Sequence, residues 1–170
     1  MELSDVAKIC FLVSIVATGI YHWKRRRTAQ APPPLGRLRD LRSAWEALSS
    51  RGYEQSFVVF LVPEEHDTEP HGEVEPSPNI QFSVEGGVVG LDWVLISPAN
   101  VKKEADFLRI ARDRGQTVRR LRQNDVSYLR VEDGDVVELG RHVLAELFAV
   151  DSDYPLGLVV DGIDWLPEPA

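Results

Sequence analysis

The sequence predicts an α+β fold in two parts: an N-terminal single transmembrane helix, then an α-βββ-α-ββ-α domain with a mostly antiparallel sheet. Three observations carry that expectation. An apolar segment runs without a formal charge from Ile9 to Trp23 and meets four cations, Lys24, Arg25, Arg26 and Arg27. Behind it, segments with apolar residues at helical spacing alternate with segments rich in β-branched and aromatic residues. The turn sequences Gly86-Gly87 and Asn124-Asp125 each join two strand-like segments, as hairpins do.

The first element is the anchor with its basic flank, 1–27. Counted from Leu3 to Trp23 it has 21 residues, which reach ~31 Å as a helix, about one hydrocarbon core. Lys8 interrupts it near its start, where the four-carbon stem can carry the ammonium to the headgroups. Tyr21 and Trp23 fall at the opposite interface. A signal peptide places its cations before the apolar core; here they follow it, and the positive-inside rule puts the C-terminal domain in the cytoplasm. The competing readings are a cleavable signal peptide and a buried helix of a soluble fold. The lone Cys10 reads as a small apolar filler, and one cysteine excludes an intrachain disulfide.

The formal charge of −8 conceals a split. Residues 1–42 carry +5 and residues 43–170 carry −13. So acidic a domain argues against a nucleic-acid partner. Residues 28–34, TAQAPPP, form a stiff proline-rich linker, and 35–170 is one soluble domain.

Within that domain, Leu35, Leu38, Leu41, Trp45 and Leu48 recur at helical spacing, with Gly52 as the stop. Ser56–Val62 (SFVVFLV) is rich in β-branched and aromatic residues and reads as a buried strand. Residues 63–78 are acidic and proline-rich and read as a long exposed loop. Asn79–Glu85 alternates Ile80, Phe82 and Val84 with polar residues, a half-buried strand that turns at Gly86-Gly87 into Val88–Ser97. Ala99–Arg114 reads as a second helix buried along Val101, Ala105, Leu108 and Ala111. Thr117–Gln123 and Val126–Glu132 form a second hairpin. Asp133–Asp135 supplies N-cap chemistry for a third helix buried along Val136, Leu139, Val143, Leu144 and Leu147. The tail, Leu156–Leu166, reads as a final strand or extended segment.

This order resembles the scaffold of a superfamily of small peptide-binding proteins that unites type III secretion chaperones with YbjN-like and TY-Chap-type domains. The strand NIQFSVEGG, the following VVGLDWVLIS and the late helix LGRHVLAELFAV carry the resemblance, which spans about residues 35–166. It implies a non-enzymatic module that binds a peptide or protein partner, often as a homodimer.

No arrangement of residues points to catalysis or to a cofactor. His66 and His71 stand among acids in the proline-rich loop, where a solvated segment explains them better than a metal site. Asp133, Asp135 and Glu138 lack the spacing of a calcium loop, and no nucleophile can be paired with His142. Ser97-Pro98 and Ser152-Asp153 lack the context of a nucleophile elbow. The glycines around Gly86 join two strands rather than opening a helix, as a phosphate loop would. One basic concentration stands out: Arg109, Arg112, Arg114, Arg119, Arg120 and Arg122. Arg109, Arg112, Arg119, Arg120 and Arg122 are the candidate partner-binding residues, with internal ion pairing as the plainer account. The expectation is a membrane-tethered, single-pass, non-enzymatic protein- or peptide-binding module facing the cytoplasm. The alternatives are an immunity-type protein that neutralises a toxin, or an enzyme or ligand sensor with an unrecognised pocket.

Overall fold

Every strand pairing in the sheet is antiparallel. The computed structural model describes residues 35–63 and 76–167. Its strands are β1 (Leu35–Gly36), β2 (Phe57–Leu61), β3 (Asn79–Glu85), β4 (Val88–Val94), β5 (Arg119–Gln123), β6 (Val126–Val131) and β7 (Leu156–Asp161). Its helices are α1 (Asp40–Arg51), α2 (Pro98–Lys102), α3 (Glu104–Asp113) and α4 (Val136–Phe148). The strands lie in the order β1-β7-β2-β3-β4-β6-β5.

The period-2 alternation of the strands sorts their side chains between two faces. Val58, Phe60, Ile80, Phe82, Leu91, Trp93, Leu129, Val131 and Leu158 point to the face on which the helices pack. There they meet Leu41 and Leu48 of α1, Phe107 and Ile110 of α3, and Leu139, Val143 and Leu144 of α4 in one core. Each fully buried Leu or Phe contributes ~1.5–3 kcal/mol of hydrophobic stabilisation. Trp93 stacks on Phe107 with ring centroids 5.0 Å apart, and its indole N–H donates to the Asn100 carbonyl at 3.0 Å. The Asn100 side chain bonds the backbone of Asn79 and Val94, which fixes α2 to the ends of β3 and β4.

Local chemistry sets the turns and caps. Gly86 (φ 59°) and Gly87 (φ 77°) form a two-residue turn with both residues left-handed, the geometry that matches strand twist in a hairpin. Asn124 and Asp125 do the same between β5 and β6, with φ of 50° and 67°. Asp135 caps α4 by accepting from the amides of Val137 and Glu138 at 3.1 and 3.0 Å.

Three expectations need correction. The transmembrane helix has no counterpart among the described residues, where no helix is long and apolar enough to cross a membrane. The longest, α4, has 13 residues, enough for ~20 Å against the ~30 Å of a hydrocarbon core. The segment 1–27, with Lys24, Arg25, Arg26 and Arg27, and the linker 28–34 lie outside the described residues, as does most of the acidic loop with His66 and His71. The sheet has seven strands: to the five of the expected scaffold it adds the tail, which is β7, and one strand not expected, since Leu35 begins a strand instead of the first helix; β7 inserts between β1 and β2. That insertion pairs β2 on both edges, which suits its unbroken apolar run FVVFL. The second helix is two helices, broken at Lys103, whose backbone (φ −98°, ψ 11°) leaves the helical region.

Candidate functional site

The sheet face opposite the helices carries a mixed surface. At one side Phe57, Val59 and Leu61 of β2 cluster with Val159 of β7. Beside them β3, β4 and β6 bring Gln81, Ser83, Asp92 and Arg130 onto the same face, all buried. None of these polar residues is adjacent in sequence to another; antiparallel register alone places Asp92 directly across from both Gln81 and Arg130.

Arg130 organises this face. Its guanidinium lies across β4, over Gly90, where a Cβ would come within 2.8 Å of Cζ. Glycine at that strand position is therefore a packing requirement. All five N–H donors of the guanidinium find acceptors. Nε donates to Glu132 at 2.6 Å. Nη1 donates to Asp92 at 2.7 Å and to the Ser83 hydroxyl at 2.8 Å, and Nη2 to the carbonyls of Ser83 and Val88 at 3.3 and 3.0 Å. Glu85 lies 3.5 Å from Nε, so three carboxylates share one cation.

The charge balance decides the protonation. Asp92 is the most buried of the three carboxylates, 1% exposed. Burial pushes its carboxyl up to about 7, against the opposing pull of Arg130 and the Ser83 hydroxyl, with Glu85 adding to the rise. Burial also opposes the charge on Arg130, but Asp92, Glu132 and Glu85 outweigh it and hold the guanidinium above its ordinary value. The Tyr128 phenol is held up by burial first and then by Glu85 and Asp92.

Above this network a groove of about 220 Å³ crosses the face from Glu54, Gln55 and Phe57 to the β5–β6 turn at Asn124. That is far more than the ~10–15 Å³ a cavity needs to admit one water. Both hydroxyls in its lining are committed. Ser83 accepts from Arg130 and donates to Asp92, and Tyr128 donates to Glu85 at 3.1 Å. Two lining amides are not satisfied: Gln81 Oε1 and Asn124 Nδ2 are buried without a hydrogen-bond partner. Natural proteins leave few such atoms, and each calls for an explanation.

The candidate arginines are elsewhere. Arg109 and Arg112 lie on α3, and Arg119, Arg120 and Arg122 lie on the sheet-edge strand β5. Arg109 pairs with Glu146 at 2.6 Å and holds that carboxyl below its usual range. Arg119 pairs with Glu132, Arg120 with Glu104, and Arg122 with Asp125 at 2.9 Å. Arg114 reaches the Ile110 carbonyl at 3.4 Å, and Arg112 is exposed on α3. His142, half-exposed on α4, sits 3.2 Å from Glu138 of its own helix. Among the described residues no group of three or more His, Cys, Asp or Glu side chains could hold a metal ion.

Sequence reasoning missed Asp92, Arg130 and the amides. Two signals were available: a glycine inside a strand marks a close approach, and an acid in the otherwise apolar VVGLDWV requires a buried partner. The chain matches no protein-family model, no curated protein and no solved structure.

Proposed function

We propose that this chain is a non-enzymatic protein- or peptide-binding module whose binding surface is the groove on the sheet face opposite the helices. The observation that supports this reading is the pair of unpartnered amide atoms, Gln81 Oε1 and Asn124 Nδ2. One is a free acceptor and the other a free donor, the complement of the N–H and C=O that an extended peptide backbone presents. A buried polar atom left unpaired costs ~1–3 kcal/mol, and a ligand that pairs it recovers much of that. Turnover has less support, because Ser83 and Tyr128 already spend their hydroxyls on the Arg130 network.

A random-peptide display library selected on the full chain tests the reading. Soluble copies of the selected peptides should shift the side-chain amide signals of Gln81 and Asn124 saturably in ¹⁵N spectra. Gln81→Ala and Asn124→Ala should each weaken binding about five- to tenfold, as the loss of one hydrogen bond does. If no selected peptide moves those two signals, the groove is not the binding surface.

A further inference from the structure

We infer that the groove recognises a basic side chain, the ammonium or guanidinium head of a lysine or arginine carried by the bound peptide; this rests on the peptide-binding reading above. Three independent features point to it. The first is charge. The carboxylates of Glu54 and Glu85 line the groove, and no cation is among its lining residues. The Arg130 guanidinium beneath has all five donors occupied, so it has no N–H left to offer an anionic ligand.

The second is the hydrogen-bonding capacity left over. The Glu54 carboxylate accepts from the Gly86 amide at 3.2 Å, beside Glu85 in the β3–β4 turn. Glu85 accepts from Tyr128 and meets Arg130 at the longer distance of 3.5 Å. Both carboxylates retain lone pairs. Gln81, 9% exposed, presents a third acceptor, the unpartnered Oε1. A lysine ammonium is donor-only, with three N–H groups, and an arginine head likewise has no acceptor. Such a head suits a cluster of unfilled acceptors, which a carboxylate ligand does not.

The third is the wall. Phe57, Val84, Val94 and Val126 line the same groove as the acids. A lysine or arginine side chain has the matching division, an apolar stem and a charged tip. A free small cation would leave the apolar wall unused.

The experiment is a set of ¹⁵N titrations of the full chain, read at the side-chain amides of Gln81 and Asn124. The probes are acetyl-Gly-Lys-Gly-amide, the same peptide with Nε-acetyl-lysine, acetyl-Gly-Ala-Gly-amide, and n-butylammonium chloride. The expected result is saturable binding of the lysine peptide, weakened at least tenfold when the ammonium is acetylated. Glu54→Gln should weaken it about threefold or more, with the remaining amide spectrum unchanged as the control for folding. If all three peptides bind equally, the basic-side-chain inference is overturned and the peptide-binding reading stands. If n-butylammonium shifts Gln81 and no peptide does, the groove takes a free amine, which overturns the inference in its peptide form and the peptide reading with it. If no probe shifts either amide, both fall.

Discussion

Replacing Asp92 by asparagine separates two forces that act on one carboxylate. Burial favours the protonated form, whereas Arg130 at 2.7 Å favours the ionised one. Because Arg130 also serves Glu132 and Glu85, its charge is divided, and burial prevails at Asp92. The carboxyl moves from 3.8 to about 7 on folding. Between those values the folded chain holds a proton that the unfolded chain has released. The native state thus binds more protons, and stability from this group falls as pH rises. The shift is about three pH units, so the loss is ~4 kcal/mol at ~1.4 kcal/mol per unit. The contribution is fully present below about pH 4 and gone above about pH 7. Urea unfolding followed by tryptophan fluorescence, run in steps from about pH 4 to about pH 8, measures it. The quantity to read is the stability of the parent chain minus that of Asp92→Asn, in which titrations common to both cancel. That difference should fall by ~4 kcal/mol across the range. A flat difference, or one that rises with pH, would refute the reasoning and show that Arg130 keeps Asp92 ionised throughout.

Other substitutions probe the same face and its supports. Arg130→Met should destabilise by ~3–5 kcal/mol, because it leaves carboxylates without their cation, and the double variant Asp92→Leu/Arg130→Met should cost less than the single one; denaturation midpoints decide. Gly90→Ala drives a methyl into the guanidinium and should cost ~1–3 kcal/mol by overpacking, with most of that cost lost in an Arg130→Met background if the clash is the cause. Asp135→Ala removes the α4 cap and the partner of Arg42 and should cost ~1 kcal/mol in thermal unfolding. The Glu138 amide and Arg42 hold the Asp135 carboxyl below its usual range. Its contribution is therefore present near neutral pH and lost as pH falls through the acid range, opposite in sign to that of Asp92.

How far the fold could be read from the chain depended on whether the deciding contacts were local. The β3–β4 hairpin was readable because Ile80, Phe82 and Val84 alternate with polar residues up to a diglycine turn. The same alternation suggests that Gln81 and Ser83 face water, and there it misleads: they are 9% and 4% exposed. What buries their face is partly Arg130, 47 residues beyond Ser83, and no spacing rule links positions that far apart. The basic run from Arg109 to Arg122 stands out by density, yet four of its arginines pair with carboxylates of their own chain. The break at Lys103 was hidden because Val101, Ala105, Leu108 and Ala111 keep a helical spacing straight through it. The first strand was hidden for another reason: Leu35 continues the helical period of α1. The tail was legible as a strand or extended segment, but its place between β1 and β2 is set by pairing alone.

The place of β7 has a consequence for biosynthesis. A ribosome delivers β2 about a hundred residues before the strand that covers its outer edge. Until Asp161 has emerged, FVVFL has only β3 on one side and a bare row of N–H and C=O groups on the other. Such a row on an apolar strand is a template for pairing with a second nascent chain. The sheet thus closes only once β7 is made, and a chain that stops after α4 would carry this apolar strand uncovered.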